Sequence, residues 1–435
     1  MTSILGTRDD QAIARMLWKH SEEPSPTCPE LFGTQSADVV VIGGGFAGLS
    51  AALHLATAGK SVAVLEARYP GWGASGRNGG QVNPGFQIPP SEVVERYGPE
   101  LGQRLVNLSG AACDLVFNLI DRFDIKCEAR RPGYVQAAVG ERGLQIRDRL
   151  VRAWQGQGIN VQSLDADEIS LLLGARGYSG GYVDPRGGNL NPTSYVRGLA
   201  RGVISTGATI FGISPAVSID QNADHWCVIC PNGHVKAKYL CLVTNAYTGT
   251  LWPKLKNTLI PVRSFITATQ RLSSEQLSEI LPGGHAVSET RRIALYYRTN
   301  AEGRLVMGGR GNQFNSDWNG STKHLEKEAL NLFPSLKGVS WEFQWSGLVG
   351  MNFKRMPSAI QLGENAFALN AFNGRGVAMA TAMGKELANL FIDPGRPNAL
   401  PIQGLNKIPF HPLRQLGVGV KVSTGGLFDK LDAFL

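Results

Sequence analysis

An α/β fold is predicted by three features near the start of the chain: a short β-branched run, a glycine cluster directly after it, and a second apolar run ending in glutamate. Residues 38–42 read Asp-Val-Val-Val-Ile, the composition of a buried parallel strand. They lead into Gly43-Gly44-Gly45-Phe46-Ala47-Gly48, with glycines spaced G-x-G-x-x-G. In this position Gly43 permits a tight turn, Gly45 lets a pyrophosphate approach the backbone, and Gly48 lets the following helix pack close to the sheet. That helix is expected over residues 49–58 with Gly59 as a left-handed C-cap, and residues 61–65 form the next strand. Glu66 closes it, about 20 residues beyond the glycines, where a carboxylate accepts hydrogen bonds from a ribose diol. A second glycine-rich stretch, Gly73-Ala74-Ser75-Gly76-Arg77-Asn78-Gly79-Gly80-Gln81, follows. Strand, turn, helix, cap and acid in this order define a Rossmann-like dinucleotide clamp, with phosphate on a helix N-terminus.

The remaining composition narrows the class. At 435 residues, 43% hydrophobic and 18% charged, the chain is long enough for two or three cores. Its formal charge of +8 is spread along the sequence, with pairs such as Arg130-Arg131 and Arg291-Arg292 rather than a stripe, which argues against a nucleic-acid partner. A positive interior potential suits an anionic cofactor and a substrate carrying a carboxylate. The six cysteines are too dispersed for a disulfide framework, so a reducing cytoplasm is expected. Cys227 and Cys230 form C-x-x-C, but on one arm of a hairpin turned at Asn232-Gly233 they face opposite sides. No metal site is expected, because the seven histidines show no ligand spacing. Neither a signal-peptide pattern nor a membrane-length apolar run is read.

Helical periodicity over residues 92–124, a strand at 134–139 and a helix at 141–157 leave the first unit. Asn191-Pro192-Thr193 starts a helix to about residue 206, and strands are expected at 208–211 and 238–244. Alternation at 260–270, 293–298 and 305–308 predicts an antiparallel sheet, and Gly374-Arg375-Gly376 opens a helix ending near residue 392. A short amphipathic helix at 11–19, with Ile13, Met16 and Leu17 on one side, is expected to pack on the body. The expected organisation is discontinuous. It comprises an N-terminal helix and linker (1–36), a cofactor domain (37–92, 153–247 and 345–396), an α+β substrate domain with a mainly antiparallel sheet (93–152 and 248–344), and a tail (397–435).

The two glycine clusters with Leu65-Glu66-Ala67 resemble the D-amino-acid-oxidase-like (DAO) family of FAD-dependent oxidoreductases. Tyr296-Tyr297-Arg298, residues 303–309, Trp345-Ser346-Gly347 and Arg355-Met356-Pro357 look most like its gamma-glutamylputrescine oxidoreductase branch. The resemblance covers roughly residues 37–395 in ordered pieces. It implies noncovalent FAD, since the chain has no cysteine after Cys241 and no histidine between Glu66 and Phe86. It also implies oxidation of an amine carbon–nitrogen bond, giving an imine that hydrolyses to a carbonyl and an amine. Oxygen or another electron acceptor completes the cycle. The alternatives are an amino-acid or amine dehydrogenase using a non-oxygen acceptor, a flavin hydroxylase, and a non-catalytic FAD-binding protein.

The resemblance assigns roles by position. Gly43, Gly45, Phe46, Ala47 and Gly48 serve the pyrophosphate, Glu66 the ribose, and Ala67 with Arg68 the adenine end. Gly73, Ala74, Ser75, Arg77, Asn78, Gly79, Gly80 and Gln81 wrap the pyrophosphate and flavin edge. Val217 touches adenine, Thr244, Asn245 and Ala246 end a strand near the cofactor, and Gly374, Arg375, Gly376 and Val377 place a helix N-terminus beside the flavin. Relatives often have histidine at the position of Arg375. For the chemistry, Tyr297, Arg298 and Trp345 are the expected catalytic residues; Tyr296 and Phe86 join an aromatic wall for the amine, and Arg298 or Arg310 holds a substrate carboxylate.

Overall fold

In the computed structural model, which describes residues 7–20, 23–222, 224–310, 322–414, 416–419, 424 and 429, two large sheets organise the chain. The first is built on Gly33–Ile42, whose last four residues are buried, as their β-branched composition requires. Val62–Leu65 and Gly233–Leu242 flank it in parallel, Thr209–Phe211 extends one side, and Ala366–Asn370 lies parallel on the other. Ser358–Gly363 and Ile402–Gln403 complete that edge. The hairpin expected around Asn232-Gly233 is present, with Cys230 opposite Gly233, and Ser218–Gln221 continues it. Cys230 is buried while Cys227 is half-buried, and both are free thiols. Helices Phe46–Thr57, Pro192–Ser205 and Gly376–Ile392 pack together in one core with Pro90–Arg122. No described helix is long and apolar enough to cross a membrane.

The second sheet runs Trp341–Met351, Ile260–Thr269, Leu305–Arg310, Tyr296–Thr299, Ala286–Glu289, Tyr134–Ala138, Gly180–Asp184 and Gln162–Leu164. Every pairing is antiparallel except that of Ala286–Glu289 with Tyr134–Ala138. Its own core holds Phe265, Tyr297, Met307 and Phe333.

This arrangement corrects three expected boundaries. Residues 162–184 and 345–351 were assigned to the cofactor domain, but their strands pair in the antiparallel sheet. Residues 93–122, expected in the substrate domain, belong to helix Pro90–Arg122, which buries Val93, Leu105, Val106 and Val116 in the core of the first sheet. Helical periodicity shows that a face is buried but not which sheet buries it. The N-terminal segment starts earlier than expected, as helix Thr7–Ala14 followed by the 3-10 turn Leu17–His20. Met16, Leu17 and Trp18 are buried against Ile266, Val306 and Trp345. The tail lies partly outside the described residues.

Candidate active site

The first turn is built by steric necessity. Gly43 has φ +113°, and a Cβ on Gly48 would lie 2.0 Å from the Gly43 carbonyl oxygen, so the helix approaches the turn only without a side chain there. Helix Phe46–Thr57 has Gly45 at its N-cap, a residue with no side chain to cap it, so the positive end of the helix is turned to the cavity that Gly45, Phe46 and Ala47 line.

The two glycine clusters meet. Ser75 Oγ accepts from the Phe46 amide at 3.0 Å, and a Cβ on Gly45 would come within 2.8 Å of that oxygen. Gly71 N–H donates to Gly44 O at 3.0 Å. Glu66 ties the turn to the next strand: Oε2 accepts from Gly44 N–H at 2.8 Å and Oε1 from Arg68 N–H at 2.9 Å. Burial pushes its carboxyl above the ordinary glutamate range, against the lowering by these backbone donors.

One cavity of about 1360 Å³ runs from this cradle to the second sheet. Of the expected cofactor residues, all but Gly48, Gly80 and Ala246 line it. Gly48 and Gly80 act behind the wall, since a Cβ on Gly80 would sit 2.0 Å from Leu190 O. Ala246 lies in the turn Asn245–Tyr247, whose Asn245 instead turns inward at φ +47° and accepts from Ala371 N–H at 2.9 Å. Val217 donates its N–H to Ile229 O at 2.7 Å. Helix Gly376–Ile392 starts at the wall. Its N-cap Arg375 donates to Pro84 O at 2.8 Å, with its guanidinium 5.3 Å from the Tyr134 ring centroid.

The three residues expected to act in the chemistry do not line the cavity. Neighbours on a strand face opposite sides, so Tyr296 lies on the wall while Tyr297 is fully buried in the second core. The Tyr297 hydroxyl meets that of Tyr178 at 2.9 Å, and Tyr178 donates to Glu289 Oε1 at 2.7 Å. Arg298 shares the side of Tyr296 but is roofed by the second glycine cluster. It donates to Gly79 O and Leu190 O, each at 2.6 Å, and to Thr299 O at 3.2 Å. Burial lowers its pKa to about 10. Trp345 is fully buried and its indole donates to Arg77 O at 2.8 Å. Arg298 and Trp345 thus hold the loop that lines the cavity rather than facing a substrate.

Arg77 was expected as a source of positive charge. Its guanidinium stacks 4.3 Å from the Trp72 ring centroid and Nη1 pairs with Asp9 Oδ1 at 2.9 Å, with Asp9 also 3.2 Å from Arg263. Nη2 of Arg77 is buried and has no hydrogen-bond partner among the described residues. Sequence reasoning missed Asp9, because the pairing joins positions 68 residues apart. It also missed Arg142, Arg149, Ser264 and residues 288–292, all on the cavity wall. The helical spacing of Arg142, Ile146, Arg149 and Leu150 was the available signal for two of them.

The glycine cradle, the Glu66 carboxyl on its wall and the helix start beside it form the arrangement of a dinucleotide-binding protein, in a cavity that continues to the second sheet. The chain belongs to the FAD dependent oxidoreductase (DAO) family, whose model matches residues 38–390. It is 32% identical over 400 residues to "Probable oxidoreductase OrdL" of Rhizobium meliloti, covering 91% of this chain and 92% of that protein. Similarity to gamma-glutamylputrescine oxidoreductase of Escherichia coli is 30% over 379 residues, covering 87% and 88%. Among solved structures, glycine oxidase from Geobacillus kaustophilus superposes with a TM-score of 0.70 at 19% identity, over 83% of this chain and 96% of that one, and shares the fold.

The protein is therefore an FAD-dependent oxidoreductase, and the residues present fit FAD. The glycine cradle tolerates no added Cβ at Gly48, the Glu66 carboxylate faces the cavity, and the volume exceeds the ~300–1,000 Å³ of ordinary small-ligand sites.

Proposed function

We propose that this enzyme oxidises the carbon–nitrogen bond of an amine, with a gamma-glutamylated amine as the leading substrate. The observation that carries the reading is the single cavity joining the dinucleotide cradle to an aromatic and cationic sheet wall. Similarity to gamma-glutamylputrescine oxidoreductase along most of both chains supports the substrate class.

Gly43, Gly45, Glu66 and the loop from Gly73 to Gln81 would hold FAD. When bound, FAD supplies the acceptor for a hydride leaving the carbon beside the amine nitrogen; the resulting imine takes up water to give a carbonyl and an amine. The chain's own residues orient and desolvate the substrate. Tyr296 and Phe86 offer aromatic faces to the amine. Burial raises the Tyr296 hydroxyl to about 12, so it stays protonated at neutral pH and keeps its 3.0 Å hydrogen bond with Ser264 Oγ. Because Arg298 is committed to backbone carbonyls, the expected role of holding a substrate carboxylate passes to arginines that line the cavity, Arg310 among them; its side-chain hydrogen bond among the described residues is to Met351 Sδ, at 3.3 Å. The positive end of helix Gly376–Ile392, which starts at the cavity wall, would favour negative charge on a bound cofactor.

Oxygen is the proposed acceptor, and the cytoplasm the proposed location, consistent with six free cysteines. Oxygen uptake and aldehyde trapping with gamma-glutamylputrescine test the reading. Aldehyde with equimolar oxygen uptake supports an oxidase, aldehyde formed only with an artificial acceptor indicates a dehydrogenase, and no aldehyde with either acceptor contradicts the substrate assignment.

A further inference from the structure

We propose that the outer wall of the cavity is an anion subsite in which Arg149 and Arg355 at the rim, with Arg142 and Arg375 further in, receive a carboxylate carried by the substrate remote from its reacting amine. The inference rests on the amine-oxidation reading above.

The four cations come from three separate elements. Helix Gly140–Gln155 turns one face to the cavity, with Arg142 and Arg149 two turns apart and Ile146 and Leu150 between and beside them. Arg355 follows strand Trp341–Met351, and Arg375 caps helix Gly376–Ile392. Arg149 and Arg355 are exposed yet line the cavity, so they sit where it meets solvent, whereas Arg142 and Arg375 are half-buried. Arg355 feels both Arg375 and Arg149 as like charges, which places the three in one electrostatic neighbourhood.

Their charge is not cancelled. Among the described residues their polar partners are backbone carbonyls: Thr290 O at 3.2 Å for Arg142, Gln87 O at 2.7 Å for Arg355 and Pro84 O at 2.8 Å for Arg375. Other arginines are paired with acids, as Arg291 with Glu289 and Glu328, and Arg304 with Glu302 and Glu342. Glu92, the acid that Arg355 senses, is itself paired with Arg96. The wall acid Glu289 is already held by Tyr178 and Arg291, and Glu66 by backbone amides of the cradle. Like charges gathered from distant positions repel one another, and an incoming carboxylate relieves that repulsion and is steered by it. A simple aliphatic amine presents nothing to this wall; an amine bearing a carboxylate several bonds away engages both ends of the compartment.

The test uses the FAD-loaded enzyme and two probes. Glutarate, which has no amine to oxidise, is titrated by calorimetry into the wild type, the Arg149→Gln/Arg355→Gln double variant and Arg149→Glu. Both side chains are exposed, and a thermal melt of each variant matching the wild type verifies that folding is retained. Glutarate affinity is expected to fall about tenfold in the double variant and further on charge reversal, with a reduced salt dependence. In parallel, the kcat/KM preference for gamma-glutamylputrescine over putrescine is expected to fall by a similar factor. Glutarate that binds all three proteins equally, or none, overturns the subsite. Arginine-dependent glutarate binding in an enzyme that neither amine reduces would instead overturn the amine reading and leave the subsite standing.

Discussion

Gly48 has no room for a side chain, and the consequence is local and severe. With its Cβ 2.0 Å from Gly43 O and 3.0 Å from Val243, Gly48→Ala must push the helix off the turn. The variant is expected to purify without flavin, read as loss of visible absorbance at unchanged protein yield. Glu66 acts by hydrogen bonding instead. Glu66→Ala removes a carboxylate that two backbone donors hold in place, and FAD affinity is expected to drop by roughly ten- to a hundredfold, the worth of a charged hydrogen bond of ~1.5–3 kcal/mol, in a flavin-release titration.

Buried Glu289 gives a pH signature. Desolvation raises its pKa above the ordinary glutamate value despite the neighbouring Arg291. The folded state therefore holds a proton that the unfolded state has released, so the contribution is fully present below the unfolded pKa and is lost as pH rises through the folded one. Thermal melts in steps across that window are expected to show this decline in the wild type and a shallower one in Glu289→Gln. An identical slope in both proteins would remove Glu289 from the account.

Among the elements, helices Phe46–Thr57 and Gly376–Ile392 set the relation between cradle and flavin end. They touch at Gly384, where a Cβ would meet Ala47 O at 2.3 Å, and Ser50 Oγ donates to Thr381 O at 2.6 Å. Gly384→Val overpacks this crossing and is expected to cost ~1–3 kcal/mol, measured by denaturant unfolding, with weaker FAD retention because Arg375 and Val377 move with the helix. The N-terminal helix is held by charge. Asp9→Ala leaves the buried Arg77 guanidinium uncompensated, with an expected loss of ~3–5 kcal/mol in the same measurement.

The parts of the site that the sequence disclosed follow one rule: they are built from contacts within a β-α-β unit, where spacing alone determines who meets whom. Gly43, Gly48 and Glu66 belong to this class; the 376–392 helix was legible instead from its own opening glycines and apolar run. Tyr297 illustrates the opposite case. Two adjacent tyrosines in one strand announce that one faces each side, but only the sheet's packing decides which side is the cavity. Arg298 and Trp345 needed more still, because the second glycine cluster folds over the one and receives the indole of the other across hundreds of positions. The arginines of helix Gly140–Gln155 read as a solvated face until the opposite wall is placed.

At the scale of the molecule, one sheet holds the glycine cradle, the other supplies the opposite wall of the cavity, and the cavity exists where they face each other. FAD held in this cavity would link its affinity to the stability of the fold: at a hundredfold excess over Kd it is expected to add ~2.7 kcal/mol. The central claim is that this compartment delivers an amine to FAD. It is tested most directly by visible absorbance of the purified protein under anaerobic conditions, before and after addition of gamma-glutamylputrescine. Delivery of the amine to FAD predicts a flavin band that bleaches on addition of the amine; a band that persists through excess amine means that this amine does not reduce the flavin and overturns the reading.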